Sequence, residues 1–127
     1  MDMNLTALLL CPGQKPERIT FPHELREMQK IVGGTIEAIY PFEDDAAAII
    51  CNEEGKLLGL EPNRAIRDPE TGELLDILCG TCFICGLTGD DFCPLTEEQL
   101  VRYEALYMHP QVFLWNGSSI VVIEVVN

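Results

Sequence analysis

Positive charge is scarce in this chain. Lys and Arg total 8 against 21 Asp and Glu, a formal net charge of −13 over 127 residues. Such a balance repels phosphate backbones and anionic lipid, so direct nucleic-acid binding and membrane association are both disfavoured. Long apolar runs are also missing: nothing approaches the roughly 20 residues of a membrane span. The run Leu5 to Cys11 is too short for a secretory leader and has no basic flank, and "LLLC" lacks both marks of a lipoprotein signal. Histidine is down to His23 and His109, distant in sequence and each beside a proline, a poor basis for a Cys-His nucleophile. No G-x-S-x-G, G-x-x-x-x-G-K-[ST] or G-x-G-x-x-G occurs. The expectation is a soluble protein of the cytoplasm, its cysteines reduced thiols or metal ligands, with no catalytic constellation.

The apolar fraction of 47% and the ordinary length suit one domain spanning residues 1–127. Leu5–Cys11 reads as a buried strand, "PGQKP" as a turn and "ERITF" as the returning strand. Pro22–Val32 reads as a first helix with Leu25, Met28, Ile31 and Val32 on one face, stopped by Gly33-Gly34. "TIEAIYPF" and "AAAIIC" read as strands, "LLGL" as a short one, and "EPNRAIRDPETGEL" as a loop. Glu97–Tyr107 is the clearest helix. Thr96 and Gln99 form a capping box, Leu95 and Leu100 a staple, and Leu100, Tyr103, Leu106 and Tyr107 the buried face. "VFLW-NG-SSIVVIEV" reads as a C-terminal hairpin turning at Asn116-Gly117. The fold class is α+β: a mainly antiparallel sheet of mixed-length strands, two principal helices and a C-terminal β-hairpin.

Four of the six cysteines, Cys79, Cys82, Cys85 and Cys93, follow the spacing C-x2-C-x2-C-x7-C-P. Zinc or an iron–sulfur cluster needs several thiolates converging on one point. The last interval is too long for a ferredoxin-type run, and the residues between favour a strand. A strand from Leu74 to about Leu87 would put Cys79 and Cys85 on one side of the sheet and Cys82 on the other. Cysteine then serves as a small core hydrophobe. The alternative is a metal- or thiol-dependent protein holding zinc on Cys79, Cys82, Cys85 and Cys93.

Acids such as Glu43, Asp44, Asp45, Glu53 and Glu54 fall mostly in turns, where solvated carboxylates are ordinary. Spread along the chain, they could also form a surface that docks a basic partner or mimics the charge of DNA. Asn63, Arg64 and Arg67 make a local basic spot in this acidic setting. Arg64 is expected to pair with a neighbouring acid. The other reading is a small-ligand or enzymatic site in which the guanidinium binds a carboxylate or phosphate.

The blocks "VGGTIEAIY", "CNEEGKLLGLEPNRAI", "DILCGTCFICG" and "LTEEQLVRY" together resemble the family catalogued as domain of unknown function 3846, over roughly Leu8 to Tyr107. The resemblance implies an accessory protein of a phage, plasmid or conjugative element. It also implies Ile, Val, Phe or Ala around a Gly-Thr pair at the cysteine positions, which favours the strand reading. It implies no activity and carries over no catalytic residue. The leading expectation is therefore a non-enzymatic accessory protein that binds another macromolecule, a protein in the bacterial cytoplasm, with interference with host defence as one form.

Overall fold

A computed structural model of the chain describes residues 4–126; Met1–Met3, part of the amino terminus read for a leader, lie outside it. The chain runs β1 (Asn4–Leu10), β2 (Glu17–Pro22), α1 (Leu25–Val32), β3 (Ile36–Ile39), β4 (Ala47–Asn52), β5 (Pro62–Arg67), β6 (Leu74–Cys79), β7 (Cys82–Thr88), β8 (Asp91–Cys93), α2 (Glu97–Leu106), β9 (Gln111–Trp115) and β10 (Ile120–Glu124). The main sheet has the order β2-β1-β7-β4-β3, with β8 pairing on β7. Every pairing in it is antiparallel. Two small sheets accompany it, β5-β6 and β9-β10. The fold is α+β, mainly antiparallel, with a C-terminal hairpin.

Alternation along the central strands divides the core into two layers. Leu5 and Ala7, Ala48 and Ile50, Phe83 and Cys85 point toward α1, where Met28 and Val32 meet them. Leu8 and Leu10, Ala47 and Ile49, Cys82 and Ile84 point the other way, toward Leu100 and Tyr103 of α2 and toward Ile66 and Leu78 of the β5-β6 sheet. A sheet covered on both faces needs apolar residues at every position, which explains the unbroken "AAIIC" of β4. The capping box of α2 forms as expected: the Thr96 hydroxyl accepts from the Gln99 amide and Gln99 Oε1 accepts from the Thr96 amide.

Several expectations are corrected. Pro22 ends β2 rather than opening a helix, and α1 starts at Leu25, itself exposed. "LLGL" is a turn, whereas "PNRAIR" is a strand and not a loop. Leu106 is exposed because α2 finishes there, one residue before Tyr107. In the hairpin turn the Asn116 amide donates to the Ser119 carbonyl, so the centre falls at Gly117-Ser118, one residue later than expected.

The largest correction concerns the cysteine block. It is not one strand from Leu74 to Leu87 but two, β6 and β7, belonging to different sheets. Gly80 sits at φ +85°, a conformation that costs a side-chain-bearing residue, and the chain crosses there from the small sheet to the large one. Its amide donates to the Glu61 carbonyl at 2.8 Å, fixing the crossing.

Candidate functional site

Arg64 is the centre of a buried polar group. Its side chain is fully buried. Nε and Nη2 donate to the Tyr107 carbonyl at 3.3 and 3.1 Å, Nη2 to the Gln14 carbonyl at 2.5 Å, and Nη1 to the carbonyl and Oδ1 of Asn63 at 3.2 and 2.9 Å. Tyr107 is the C-cap of α2, where the orphan carbonyls and the dipole attract a cation. Asn63, also buried, donates to the carbonyls of Leu10 and Gly80, both at 2.9 Å. Arg64 and Asn63 thus tie β5 to the β1–β2 turn, to the β6–β7 crossing and to the end of α2.

The expected pairing of Arg64 with a neighbouring acid is corrected: among the described residues no carboxylate lies within ion-pair distance of it, and its partners are the carbonyl oxygens and the Asn63 amide group. Burial lowers its pKa, but an arginine remains charged at any ordinary pH. Nor do the three residues of the basic spot share one surface. Asn63 and Arg64 face inward, while Arg67 is exposed and donates to the Gly72 carbonyl at 3.0 Å. An inward guanidinium with every donor direction engaged leaves no face for a carboxylate or phosphate.

The cysteines are dispersed as well. Cys82 and Cys85 lie on opposite faces of the main sheet, in separate core layers. Cys79 stands in the other sheet, so it does not share a side with Cys85 as expected; the break at Gly80 removes the premise. Cys93 lies on β8 opposite Gly86, next to Cys85. All six are free thiols, and among the described residues no three His, Cys, Asp or Glu converge on a metal-sized point. Burial pushes the Cys51 thiol up to about 11 and the Cys85 thiol up to about 12, and raises Cys82, Cys79 and Cys93 as well. A nucleophilic thiol needs the opposite shift.

One cleft open to solvent, of about 320 Å³, lies where the main sheet meets the β5-β6 sheet. Cys51, Leu78 and Cys79 line it. Glu37 of β3 and Glu53 and Glu54 of the loop after β4 stand around it. Its single cation, Lys56, is held by the Asp76 carboxylate, which raises the lysine pKa. Leu57 forms part of the wall yet is 82% exposed. No local pattern announced this site. Its residues come from β3, β4, the β4–β5 turn and β6, and the Leu57-Leu58 pair close to Glu53-Glu54 is the one signal within a single stretch.

The fold and the cleft define a class: an α+β domain built on a two-faced antiparallel sheet, whose open polar site is acidic and whose buried polar groups hold the architecture. The chain belongs to the family described as domain of unknown function DUF3846, whose model matches residues 3–108. The match covers the elements from β1 through α2 and stops before the C-terminal hairpin. No curated protein and no solved structure matches the chain.

Proposed function

We propose that this protein is a non-enzymatic accessory protein that binds another protein, and that the cleft between the two sheets receives a basic segment of that partner. The observation that carries the reading is the rim: Glu37, Glu53 and Glu54 around a concave wall, with the only local cation already bound to Asp76. Leu57 and Leu58, exposed beside these acids, supply apolar contact of the kind that anchors protein interfaces. Charge bookkeeping over the rest of the surface supports it. Arg18 is engaged by Glu97 and Glu104, Lys30 by Glu27 and Arg102 by Asp45 and Glu98. Much of the scarce positive charge is thereby neutralised and the acidic surplus dominates the field. A basic partner is steered by that field and discharged by salt. On this reading the partner is a protein of a bacterial cell that carries a mobile element, where interference with host defence is one use for such binding.

The test is capture of partners from bacterial lysate at about 0.05 and 0.5 M salt, with the wild type and a Glu53→Lys, Glu54→Lys double variant. The expected result is a basic protein retained by the wild type at low salt, weakened at high salt and lost by the variant. Equal capture by both proteins, or no salt dependence, removes the cleft from the proposal.

A further inference from the structure

The C-terminal hairpin carries an apolar face that none of the described residues covers. In β9-β10 the cross-strand partners are Gln111 with Glu124, Val112 with Ile123, Phe113 with Val122, Leu114 with Val121 and Trp115 with Ile120. Partners share a face. The face holding Gln111, Phe113 and Val122 leans on the body: Gln111 Oε1 accepts from the Ala65 amide at 2.7 Å, and Phe113 and Val122 are half-buried. The opposite face consists of Val112, Leu114, Val121 and Ile123, exposed by 44%, 49%, 39% and 46%. It contains no polar side chain.

We infer that this face is covered by the same face of a second copy of the chain, the two hairpins stacked about a twofold axis. Charge singles out this place. Between Ala105 and Asn127 the only Asp, Glu, Lys or Arg is Glu124. Two copies at −13 repel each other, and the hairpin is where they can meet with least repulsion. Glu124 sits on the inner face, so antiparallel stacking of the outer faces keeps both copies' Glu124 out of the contact. With no hydrogen-bonding side chain, the face demands no particular polar partner, and a second apolar face suffices to cover it. Closing it in two copies removes on the order of 600 Å² from water, the size of a weak, transient contact and well below that of an obligate dimer. The hairpin lies beyond the residues matched by the family model.

Sedimentation of the full chain from about 5 to 500 µM tests it. The expected result is a mass rising from one chain toward two. Higher salt strengthens the association, because screening removes repulsion between like-charged copies. That sign is opposite to the one expected for the cleft and its basic partner, so the two readings fail separately. Leu114→Lys and Ile123→Ser each weaken the dimer at least about tenfold, with an unchanged circular dichroism spectrum since both side chains are half exposed. A mass of one chain at every concentration and salt overturns the inference. So does a dimer that both folded variants retain.

Discussion

Arg64 and Tyr107 are joined by two hydrogen bonds from one guanidinium to one carbonyl, at 3.3 and 3.1 Å, at the point where α2 ends. The cation reaches the negative end of the helix from a strand in another sheet, 43 residues earlier in the chain. A buried charge without a carboxylate is normally costly. Here the helix terminus and the carbonyls of Gln14 and Asn63 supply the negative potential that an acid would have given. This is an architectural use of arginine, and it leaves the open chemistry of the protein to the acidic cleft.

Replacing Arg64 therefore damages the fold before any function. Arg64→Met keeps volume but strands the carbonyls of Tyr107 and Gln14 and the Oδ1 of Asn63. We expect a loss of about 3–5 kcal/mol in urea unfolding. Arg64→Lys is expected to recover only part of it, because an ammonium cannot reach three carbonyl groups in the guanidinium's planar fork. A lysine variant as stable as the wild type would show that charge alone suffices.

Asp45 gives a pH-dependent prediction. Burial works to raise its pKa. Hydrogen bonds from the Tyr103 hydroxyl, Gln99 Nε2 and the Ala46 amide, with the charge of Arg102, outweigh that and hold it below 3.8. The unfolded chain then binds a proton more readily than the native one. The contribution of Asp45 is fully present above pH 3.8 and is lost as pH falls through the lower native value. Asp45→Asn is expected to cost about 1–3 kcal/mol at neutral pH. The difference from wild type should narrow in acid, as read by unfolding curves at several pH values.

The parts of this fold that follow from neighbouring residues could be read from the chain, and the parts that follow from distant ones could not. The Thr96–Gln99 box and the doubly apolar β4 are local patterns and appear where expected. "EPNRAIRDPETGEL" reads as a loop because Pro62, Pro69 and Gly72 punctuate it, although its first half is β5. One of its residues, Arg64, needs the carbonyls of Gln14 and Tyr107 besides its neighbour Asn63, and no window on β5 contains them. The glycine that splits the cysteine block was visible, but the apolar residues on both sides masked a change of sheet. The cleft is likewise a product of topology: Lys56 and Asp76 meet only because the β5-β6 hairpin folds back over the β4–β5 turn.

The thiols supply a prediction that separates packing from chemistry. Cys82 and Cys85 are fully buried, and Cys51 nearly so. Relative to an ordinary thiol at 9.0, a pKa of about 11 for Cys51 leaves roughly a hundredfold less thiolate at mildly alkaline pH. In a native thiol-modification time course, Cys11, Cys79 and Cys93 are expected to react first, since they are half-buried. Cys82 and Cys85 should react only on unfolding, when all six become available. Fast labelling of Cys82 or Cys85 in the folded protein would show an opening of the main sheet that these contacts do not allow.

Gly86 is required for steric rather than conformational reasons. Its φ is not positive, but a Cβ there would stand 2.9 Å from Cys93 Sγ, 2.9 Å from the Pro94 carbonyl oxygen and 3.1 Å from the Cys93 carbonyl oxygen. A sulfur at the end of a side chain can rotate away; two backbone oxygens in the β8 connection cannot. Gly86→Ala is expected to cost about 1–3 kcal/mol. Adding Cys93→Ala removes only the sulfur contact, so the double variant should recover a minor share of the loss. A full rescue, measured as a double-mutant cycle in urea, would mean that the β7–β8 approach yields at the backbone as well.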